Sequence, residues 1–350
     1  MIKKNKKYSY LGAIHIHSKF SDGTGDVEVI SKAAKKAGLD WVVITDHNSF
    51  EIAEGFYNGV CVIKGEEISP KGANHYLALG INNLIEENQD VQKNINNVRN
   101  NGGFGFCAHP NETLIKNNHK RKNKWPAINW SDEKNIPDGV EIWNWFSQWG
   151  DNINDKNIFT LAYAYLFKHR LVDKPSKKTL IWWDKLNSQS EKIIPAIGGV
   201  DAHAIKVYDY LIPVTLFPYQ EMFKTINNMI YLQEPLKNDF LSRKEQILTA
   251  IKKGNNLILN RYISKNPPEI YVENQCVRAY CGDSIELDID THLVIKTKEK
   301  YKIRVFLNGE EQKNITTKNL DFVIKKCGKY RVELELKENG YAYTNPIIVI

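Results

Sequence analysis

The chain has 350 residues, 42% of them hydrophobic and 25% charged, which is enough for one large domain and one small domain with buried cores. The formal net charge of +7 is modest, and no helix-turn-helix, zinc-finger or aromatic-ladder pattern accompanies it, so we expect nucleic acid at most as a substrate. No segment approaches the ~20 apolar residues of a transmembrane helix, and the first residues contain no apolar run of signal-peptide length. The five cysteines show no CxxC spacing, so we expect reduced thiols, a cytoplasmic location and no membrane partner.

From Tyr10 to about Val200, short apolar runs alternate with helical stretches, which is typical of βα units around a parallel sheet. The predicted strands are Leu11–Ile16, Trp41–Thr45, Val60–Lys64, His75–Leu79, Phe104–Cys107, Val140–Trp143 and Ile193–Val200. The predicted helices are Val27–Ala37, Asp90–Asn100, Gln220–Leu232 and Ser242–Lys253.

The character of the chain changes near Pro267. Beyond it, runs such as Ile285–Ile289, Lys302–Phe306 and Tyr330–Leu336 alternate polar and apolar residues between turn signals. The pattern predicts two domains, residues 1–264 and residues 265–350, the second a small antiparallel β-sandwich. We expect the chemistry of the first domain to need nothing from residues 270–350.

Polar residues follow the predicted strands at their ends. His15 and His17 stand two apart on one strand, so both imidazoles project from the same side. Asp201 and His203 repeat this spacing. Five more histidines and carboxylates lie between these pairs, each at a predicted strand end: Asp22, His47, Glu67, His75 and His109. In parallel βα barrels the carboxyl ends of the strands form the active-site face, and imidazole with carboxylate suits zinc, iron(II) or manganese.

Each motif alone has an ordinary structural explanation. A single His-x-His pair can be a hydrogen-bonded core histidine with a neighbour, and Asp46-His47 can be a helix N-cap. The metal hypothesis depends on the motifs jointly, since six of the nine histidines fall at strand ends. Glu66 is the open ambiguity, because it adjoins Glu67 and alternation sends only one of the two side chains into the site.

The order and spacing of these motifs resemble the PHP (polymerase and histidinol phosphatase) superfamily. The motifs are His15-Ile16-His17, Ser21-Asp22-Gly23, Thr45-Asp46-His47-Asn48, Gly65-Glu66-Glu67, His75, Ala108-His109-Pro110 and Asp201-Ala202-His203. The resemblance implies a distorted (β/α)7 barrel that carries two to three divalent ions per chain. A narrower likeness, to the branch called CehA/McbA-like that includes carbaryl hydrolases, comes from Gly139–Asn144, Trp182-Trp183-Asp184 and Tyr343–Pro346.

The resemblance also implies how the ligands divide among three ions. His15, His17, Glu67 and Asp201 hold the first ion; Glu67 bridges to a second ion held by His75 and His109; Asp22, His47 and His203 hold the third. The family's glutamate falls two residues after the glycine, which selects Glu67 over Glu66. Trp143, Trp145 and Trp149 either line a substrate pocket or pack in the core.

Clustered divalent ions lower the pKa of bound water and stabilise the charge that develops in hydrolysis. We therefore expect a metal-dependent phosphoesterase that acts on a small, anionic phosphate ester or nucleotide, with Asp201 or His203 protonating the leaving group. A carboxylic-ester or carbamate hydrolase is the alternative on the same centre. The non-enzyme alternative is a binding or scaffold protein on a retired barrel, in which the ligand positions should have decayed to apolar or amide residues.

Overall fold

Seven strands close into a barrel in the computed structural model, which describes residues 7–112, 129–132, 134–152, 165–207 and 214–350. The strands up to residue 202 are β1 (Tyr8–Ile16), β2 (Trp41–His47), β3 (Gly55–Tyr57), β4 (Val60–Ile68), β5 (Tyr76–Leu79), β6 (Phe104–Cys107), β7 (Gly139–Asn144) and β8 (Ala196–Ala202). They pair around the barrel in the order β1, β2, β4, β5, β6, β7, β8, and β8 pairs back to β1. The fold is therefore mixed α/β around a closed seven-stranded barrel.

One barrel strand runs against the others. β5 is antiparallel to both β4 and β6, whereas every other neighbouring pair in the barrel is parallel. The connection from β4 to β5 covers only residues 69–75, too few for the crossover of roughly a dozen residues that a parallel neighbour requires. Because β5 is reversed, His75 at its start lies at the same edge of the barrel as the carboxyl ends of the other strands.

The helices are α1 (Val27–Ala37), α2 (Val91–Asn100), α3 (Trp145–Asp151), α4 (Lys177–Gln189), α5 (Tyr219–Met222) and α6 (Phe240–Lys253), with a 3₁₀ turn at Lys168–Arg170. The side chain of Asp26 accepts from the backbone N–H of Val29 and so caps the start of α1, and Gly38 ends that helix with a φ of 76°. Gly254 ends α6 in the same left-handed way. Three predicted helices are thus confirmed. None of the helices in the described residues is long and apolar enough to cross a membrane.

The remaining strands are β9 (Lys206–Val207), β10 (Val214–Thr215), β11 (Ile226–Leu232), β12 (Asn256–Asn260), β13 (Glu269–Glu273), β14 (Arg278–Ala279), β15 (Ser284–Ile285), β16 (His292–Leu307), β17 (Glu310–Val323), β18 (Gly328–Leu336), β19 (Asn339–Thr344) and β20 (Ile347–Val349). From β13 onwards they form a mostly antiparallel arrangement, hereafter the C-terminal sheet. The predicted run Ile285–Ile289 contributes only its first residue to a strand.

The barrel and the C-terminal sheet are joined through β11 and β12. β11 pairs with the first half of β1, β12 pairs with β11, and β19 pairs with β12. Apolar side chains of β11 and β12, such as Met229 and Leu257, share one buried cluster with the C-terminal sheet. Backbone pairing and packing therefore cross the predicted boundary at residue 264, and the division into two domains there stays a prediction.

The predicted helix Gln220–Leu232 is wrong. Its first residues form only the single turn α5, and the rest is strand β11. Every residue of β11 is buried because the strand is covered on both faces, so it lacks the two-residue alternation that identifies a half-exposed strand. The polar side chain of Asn228 can be buried within it, because its amide makes two hydrogen bonds with the backbone of Gly198.

Candidate metal centre

The nine predicted ligand residues meet at one edge of the barrel. The first two, His15 and His17, have ring centroids 5.2 Å apart. Their convergence does not come from regular strand alternation: His15 has a φ of 67°, and the register between β1 and β8 shifts between Ile14 and Ile16. Asp201 on β8 also has a positive φ, of 51°. Such strained conformations of non-glycine residues persist where the surrounding structure fixes them and cluster at functional sites.

Four side chains form the first ligand group. The Nε2 atoms of His15 and His17 lie 3.2 and 3.3 Å from Glu67 Oε2, and 3.4 and 3.2 Å from Asp201 Oδ1. All four residues are buried. The Nε2 atom of His17 has no partner with hydrogen-bond geometry despite these short distances. A buried nitrogen without a hydrogen bond, facing two carboxylate oxygens, is the arrangement that a divalent cation would complete.

The second group uses the other oxygen of Glu67. Its Oε1 lies 2.9 Å from His75 Nδ1 and 3.2 Å from His109 Nε2. The two oxygens of one carboxylate therefore face two different sets of imidazole nitrogens. This is the geometry of a carboxylate that bridges two ions.

The third group lies nearer to solvent. His203 Nε2 is 3.2 Å from Asp22 Oδ1, and His47 Nε2 is 3.8 Å from Asp22 Oδ2. The ring of His17 stacks on that of His203 at 4.2 Å and contributes its Nδ1 to this group. The side chain of Asp22 is 59% exposed, so this group forms the outer side of the cluster.

The electrostatics of the cluster depend on compensating charges. Burial alone would raise the pKa of Glu67, but the charges of His47 and His15 outweigh it and hold the pKa well below its usual range. Asp201 shows the same pattern, with the effect of burial outweighed by the charge of His15 and by the nearby imidazoles of His17 and His203, so its pKa lies well below its usual range. Conversely, burial would lower the pKa of His47, yet Glu67 raises it to about 9. In the absence of metal, the carboxylates therefore stabilise protons on these imidazoles. A divalent cation would take the place of those protons, because imidazole binds metal in its neutral form and carboxylate in its anionic form.

Glu66, the neighbour of the bridging carboxylate, lies outside the cluster. Its Oε2 accepts from the backbone N–H of Ile85 at 2.9 Å, its Oε1 has no partner, and burial raises its pKa to about 7. The structure therefore places the Glu67 side chain, and not that of Glu66, among the imidazoles.

Sequence reasoning missed Glu141, which supports two of the candidate ligands. Its Oε1 accepts from His15 Nδ1 at 2.8 Å, and its Oε2 accepts from the backbone N–H of His109 at 2.7 Å and from the amide of Asn144 at 3.0 Å. Gly199 makes room for it, because a Cβ at that position would lie 1.7 Å from Glu141 Oε1. The available signal was a single acidic residue inside the apolar run Val140–Trp143.

Two other supporting residues were also missed. Ser69 Oγ lies 2.6 Å from His47 Nδ1 and orients that ring. Asp46 is buried and accepts from the backbone N–H and hydroxyl of Ser18 and from the hydroxyl of Ser21, which fixes the loop after β1. Nothing in the sequence distinguishes Ser69 from an ordinary surface serine. Asp46 could have been noticed, because a carboxylate that follows directly on an apolar strand is seldom buried without a partner.

A cleft of about 470 Å³ opens beside the second ligand group. Its lining includes His109 and Glu141, Gln148 of α3, Lys174 and the first turn of α4. Trp143 lines it, whereas Trp145 packs against Phe217 in the core. His119 and the basic residues Lys116, Lys120, Arg121, Lys122 and Lys124 lie outside the described residues.

Comparisons with known proteins match part of the chain. The sequence model described as the PHP domain matches residues 13–133, a stretch that contains seven of the nine candidate ligands. An uncharacterized protein of Methanocaldococcus jannaschii is 28% identical over 121 residues, covering 29% of this chain and 69% of that protein.

Two solved structures resemble this chain weakly. A two-domain protein from Bacteroides vulgatus, described as containing a predicted PHP-like metal-dependent phosphoesterase, is 15% identical and covers 99% of this chain and 97% of its own, with a TM-score of 0.46. PsfC from Pseudomonas syringae is 12% identical over 70% and 89% of the two chains, with a TM-score of 0.42. The description of the barrel depends on the strand pairing of this chain alone. The similarity to the PHP domain is thus limited to residues 13–133, about a third of the chain.

Proposed function

We propose that this protein is a metal-dependent phosphoesterase with a trinuclear centre of zinc, manganese or iron. The observation that carries the proposal is the position of Glu67, whose two oxygens face two separate imidazole groups within 3.3 Å. His15, His17 and Asp201 would complete the first ion site with it. His75 and His109 would complete the second, and Asp22, His47 and His203 would form the third.

Bound divalent ions would supply an activated water and neutralise the charge that develops on a phosphoryl group. The residues of the chain hold and orient the reacting groups. Asp201 and His203 are the two candidates to protonate the leaving group. The pKa of Asp201 lies well below its usual range, whereas a hydrogen bond with Asp22 and the charge of Asp201 outweigh burial and raise the pKa of His203, so His203 is the better proton donor of the two. None of the nine positions carries an apolar or amide residue, which argues against a retired scaffold.

The expected substrate is a small anionic ester held in the cleft. The cleft lining carries both charge signs, since Lys174, Lys177 and Lys178 are joined there by Glu112, Glu141, Asp151 and Asp173. The expectation of an anionic substrate therefore depends on the proposed ions, which would attract and neutralise a phosphoryl group. Reduced thiols remain the basis for proposing a cytoplasmic enzyme. The finer fold assignment, a distorted (β/α)7 barrel at residues 1–264 and a β-sandwich at residues 265–350, and the CehA/McbA-like branch are likewise proposals.

The test joins metal analysis to a pair of substrates. Protein purified without chelator should contain between two and three transition ions per chain and hydrolyse p-nitrophenyl phosphate faster than p-nitrophenyl acetate. His203→Gln should lose most of the activity. His292→Gln, which alters a histidine paired with Asp321 on the C-terminal sheet, is the matched control and should keep it.

Three results would contradict the proposal in different ways. A marked preference for the acetate would favour a carboxylic-ester or carbamate hydrolase on the same centre. Less than one ion per chain, with no gain on adding zinc, manganese or iron, would favour the scaffold alternative. Equal loss of activity in both histidine variants would mean that the residues named here do not form the site.

A further inference from the structure

Helix α4 forms one wall of the cleft and is held at its far end by a lysine of the C-terminal sheet. Lys177, Lys178 and Thr179 of its first turn line the cleft. After the last turn, Lys329 Nζ donates to the backbone oxygens of Asn187, Ser190 and Lys192 at 2.7–2.8 Å. A cation at this position satisfies backbone acceptors and interacts favourably with the negative end of the helix dipole. Lys329 therefore fixes α4 from outside the barrel.

The middle of α4 is fixed by an arginine of the same strand, β18. Arg331 Nε and Nη2 each donate to one oxygen of Asp184 at 2.6 Å, and its Nη1 donates to Glu333 at 2.5 Å. The Arg331 side chain is only 4% exposed. A bidentate ion pair of this kind fixes the orientation of the two side chains as well as their distance, and burial protects the pair from screening by salt. Gly309, between β16 and β17, packs so closely that a Cβ there would lie 2.9 Å from Asp184 Cβ.

The loop before α4 is also bound to the C-terminal sheet. The backbone N–H of Gly340 donates to the backbone oxygen of Asp173 at 2.7 Å. The Asp173 side chain accepts from Gln148 Nε2, and Gln148 Oε1 accepts from Trp143 Nε1, both at 2.7 Å. Tyr343 packs edge-on against the Trp143 ring, with the centroids 5.6 Å apart. A continuous set of contacts thus runs from the C-terminal sheet to three residues that line the cleft.

We infer that Lys329 and Arg331 are positioning residues for the substrate cleft. The C-terminal sheet contributes no ligand to the candidate centre, yet it holds α4 and the 173–175 loop, both of which line the cleft together with His109. The inference rests on the proposed function, since it identifies this cleft as the place where the ester binds. Its consequence is that the C-terminal sheet affects substrate binding while leaving the ions in place.

The experiment uses the full chain with four substitutions. Lys329→Met and Arg331→Met remove the two cations and keep apolar length. Arg331→Lys is the conservative variant. Arg278→Met is the matched control, because Arg278 makes a comparable pair with Glu273 within the C-terminal sheet. Each protein is measured for metal content, for hydrogen exchange of peptides covering residues 173–189, and for KM and kcat on p-nitrophenyl phosphate.

We expect amide hydrogen exchange in residues 173–189 to become about tenfold faster in Lys329→Met and Arg331→Met. Exchange in β1, β4 and β8 should stay at the wild-type rate. KM should rise by about three- to tenfold while kcat stays within about twofold and metal content is unchanged. Arg331→Lys should recover part of the loss, and Arg278→Met should match the wild type. If Arg331→Met fails to fold because it leaves Asp184 without the arginine that holds both its oxygens, Lys329→Met decides the question alone.

Unchanged exchange in residues 173–189 in both Met variants would overturn the inference. So would faster exchange with an unchanged KM, because the cleft would then not depend on α4. A loss of metal or a fall in kcat alone would also overturn it, since the sheet would then support the centre itself. If wild-type protein binds metal but hydrolyses neither nitrophenyl ester, the proposed function fails instead, and the exchange data alone decide whether the sheet holds α4.

Discussion

Substituting Glu67 by Gln tests the centre most directly, because five imidazole nitrogens lie 2.9–3.3 Å from its two oxygens. An amide keeps one weaker oxygen ligand and turns the other into a donor, so the carboxylate can no longer bridge. Changing a residue that merely supports a ligand costs about 10–100-fold in metal affinity. We therefore expect Glu67→Gln to lower the metal affinity at least about 100-fold, which corresponds to about 2.7 kcal/mol of binding free energy. The variant should also lose most of its bound metal during dialysis. Turnover should fall with it.

Glu66→Gln is the matched control at the neighbouring position. Its amide oxygen can still accept from the Ile85 N–H, and its NH₂ replaces an oxygen that has no partner. Metal content and turnover should stay within about twofold of the wild type, because this side chain points away from the imidazoles. Metal analysis by mass spectrometry after dialysis, with turnover on p-nitrophenyl phosphate, measures both variants. Loss of metal in Glu66→Gln with retention in Glu67→Gln would refute the assigned register of β4.

The same control makes a prediction about pH. Burial raises the pKa of Glu66 from 4.5 to about 7, so the folded state favours the neutral acid. Wild-type stability should therefore fall as the pH rises from about 4.5 through 7, whereas an amide does not titrate. Thermal melting should show Glu66→Gln gaining stability relative to the wild type between pH 5.5 and pH 8.5. A constant difference across this range would contradict the buried position of the carboxyl group.

Three further predictions concern Glu141, the bound metal and the cysteines. Glu141→Gln should cost about 10–100-fold in metal affinity and turnover, because it weakens the hold on His15; Glu54→Gln, whose carboxylate pairs with a lysine outside the site, should behave like the wild type. Removing metal with a chelator should lower the melting temperature, and adding metal back should restore it, since the buried carboxylates and imidazoles lose their cations; an unchanged melting temperature would count against a buried centre. Thiol titration should find two reactive groups in the native protein, Cys276 and Cys327, and five after denaturation. Burial raises the pKa values of the other three thiols, so more than two reactive native thiols would contradict their placement.

The sequence predicted the members of the cluster better than it predicted their geometry. The pairing of His15 with His17 was inferred from regular alternation along a strand. In the structure, His15 has a positive φ and β1 changes register against β8 at that point. A local pattern identifies which residues end a strand, but the strain that turns their side chains is imposed by the neighbouring strand. That neighbour, β8, lies almost 200 residues further along the chain and cannot be read from a local window.

Three further differences also concern how strands meet. The direction of β5 depends on the length of the connection before it, and β11 was mistaken for a helix because both its faces are covered. Glu141 was overlooked as a supporting residue because its role depends on a glycine in the next strand, Gly199, that leaves space for its carboxylate. Chain position and hydrophobic pattern carry no information about such contacts between strands.

The relation between the two halves of the chain is where the expectation and the described contacts diverge most. Every candidate ligand lies in the barrel half of the chain. However, β12 pairs with β19, and the buried Arg331–Asp184 pair reaches the helix that borders the cleft. Removing residues 270–350 would therefore expose paired backbone and apolar surface and also leave Asp184 without its partner. A change in the C-terminal sheet would then alter which esters the cleft accepts while the ligands of the ions stay intact, because the two tasks depend on different contacts.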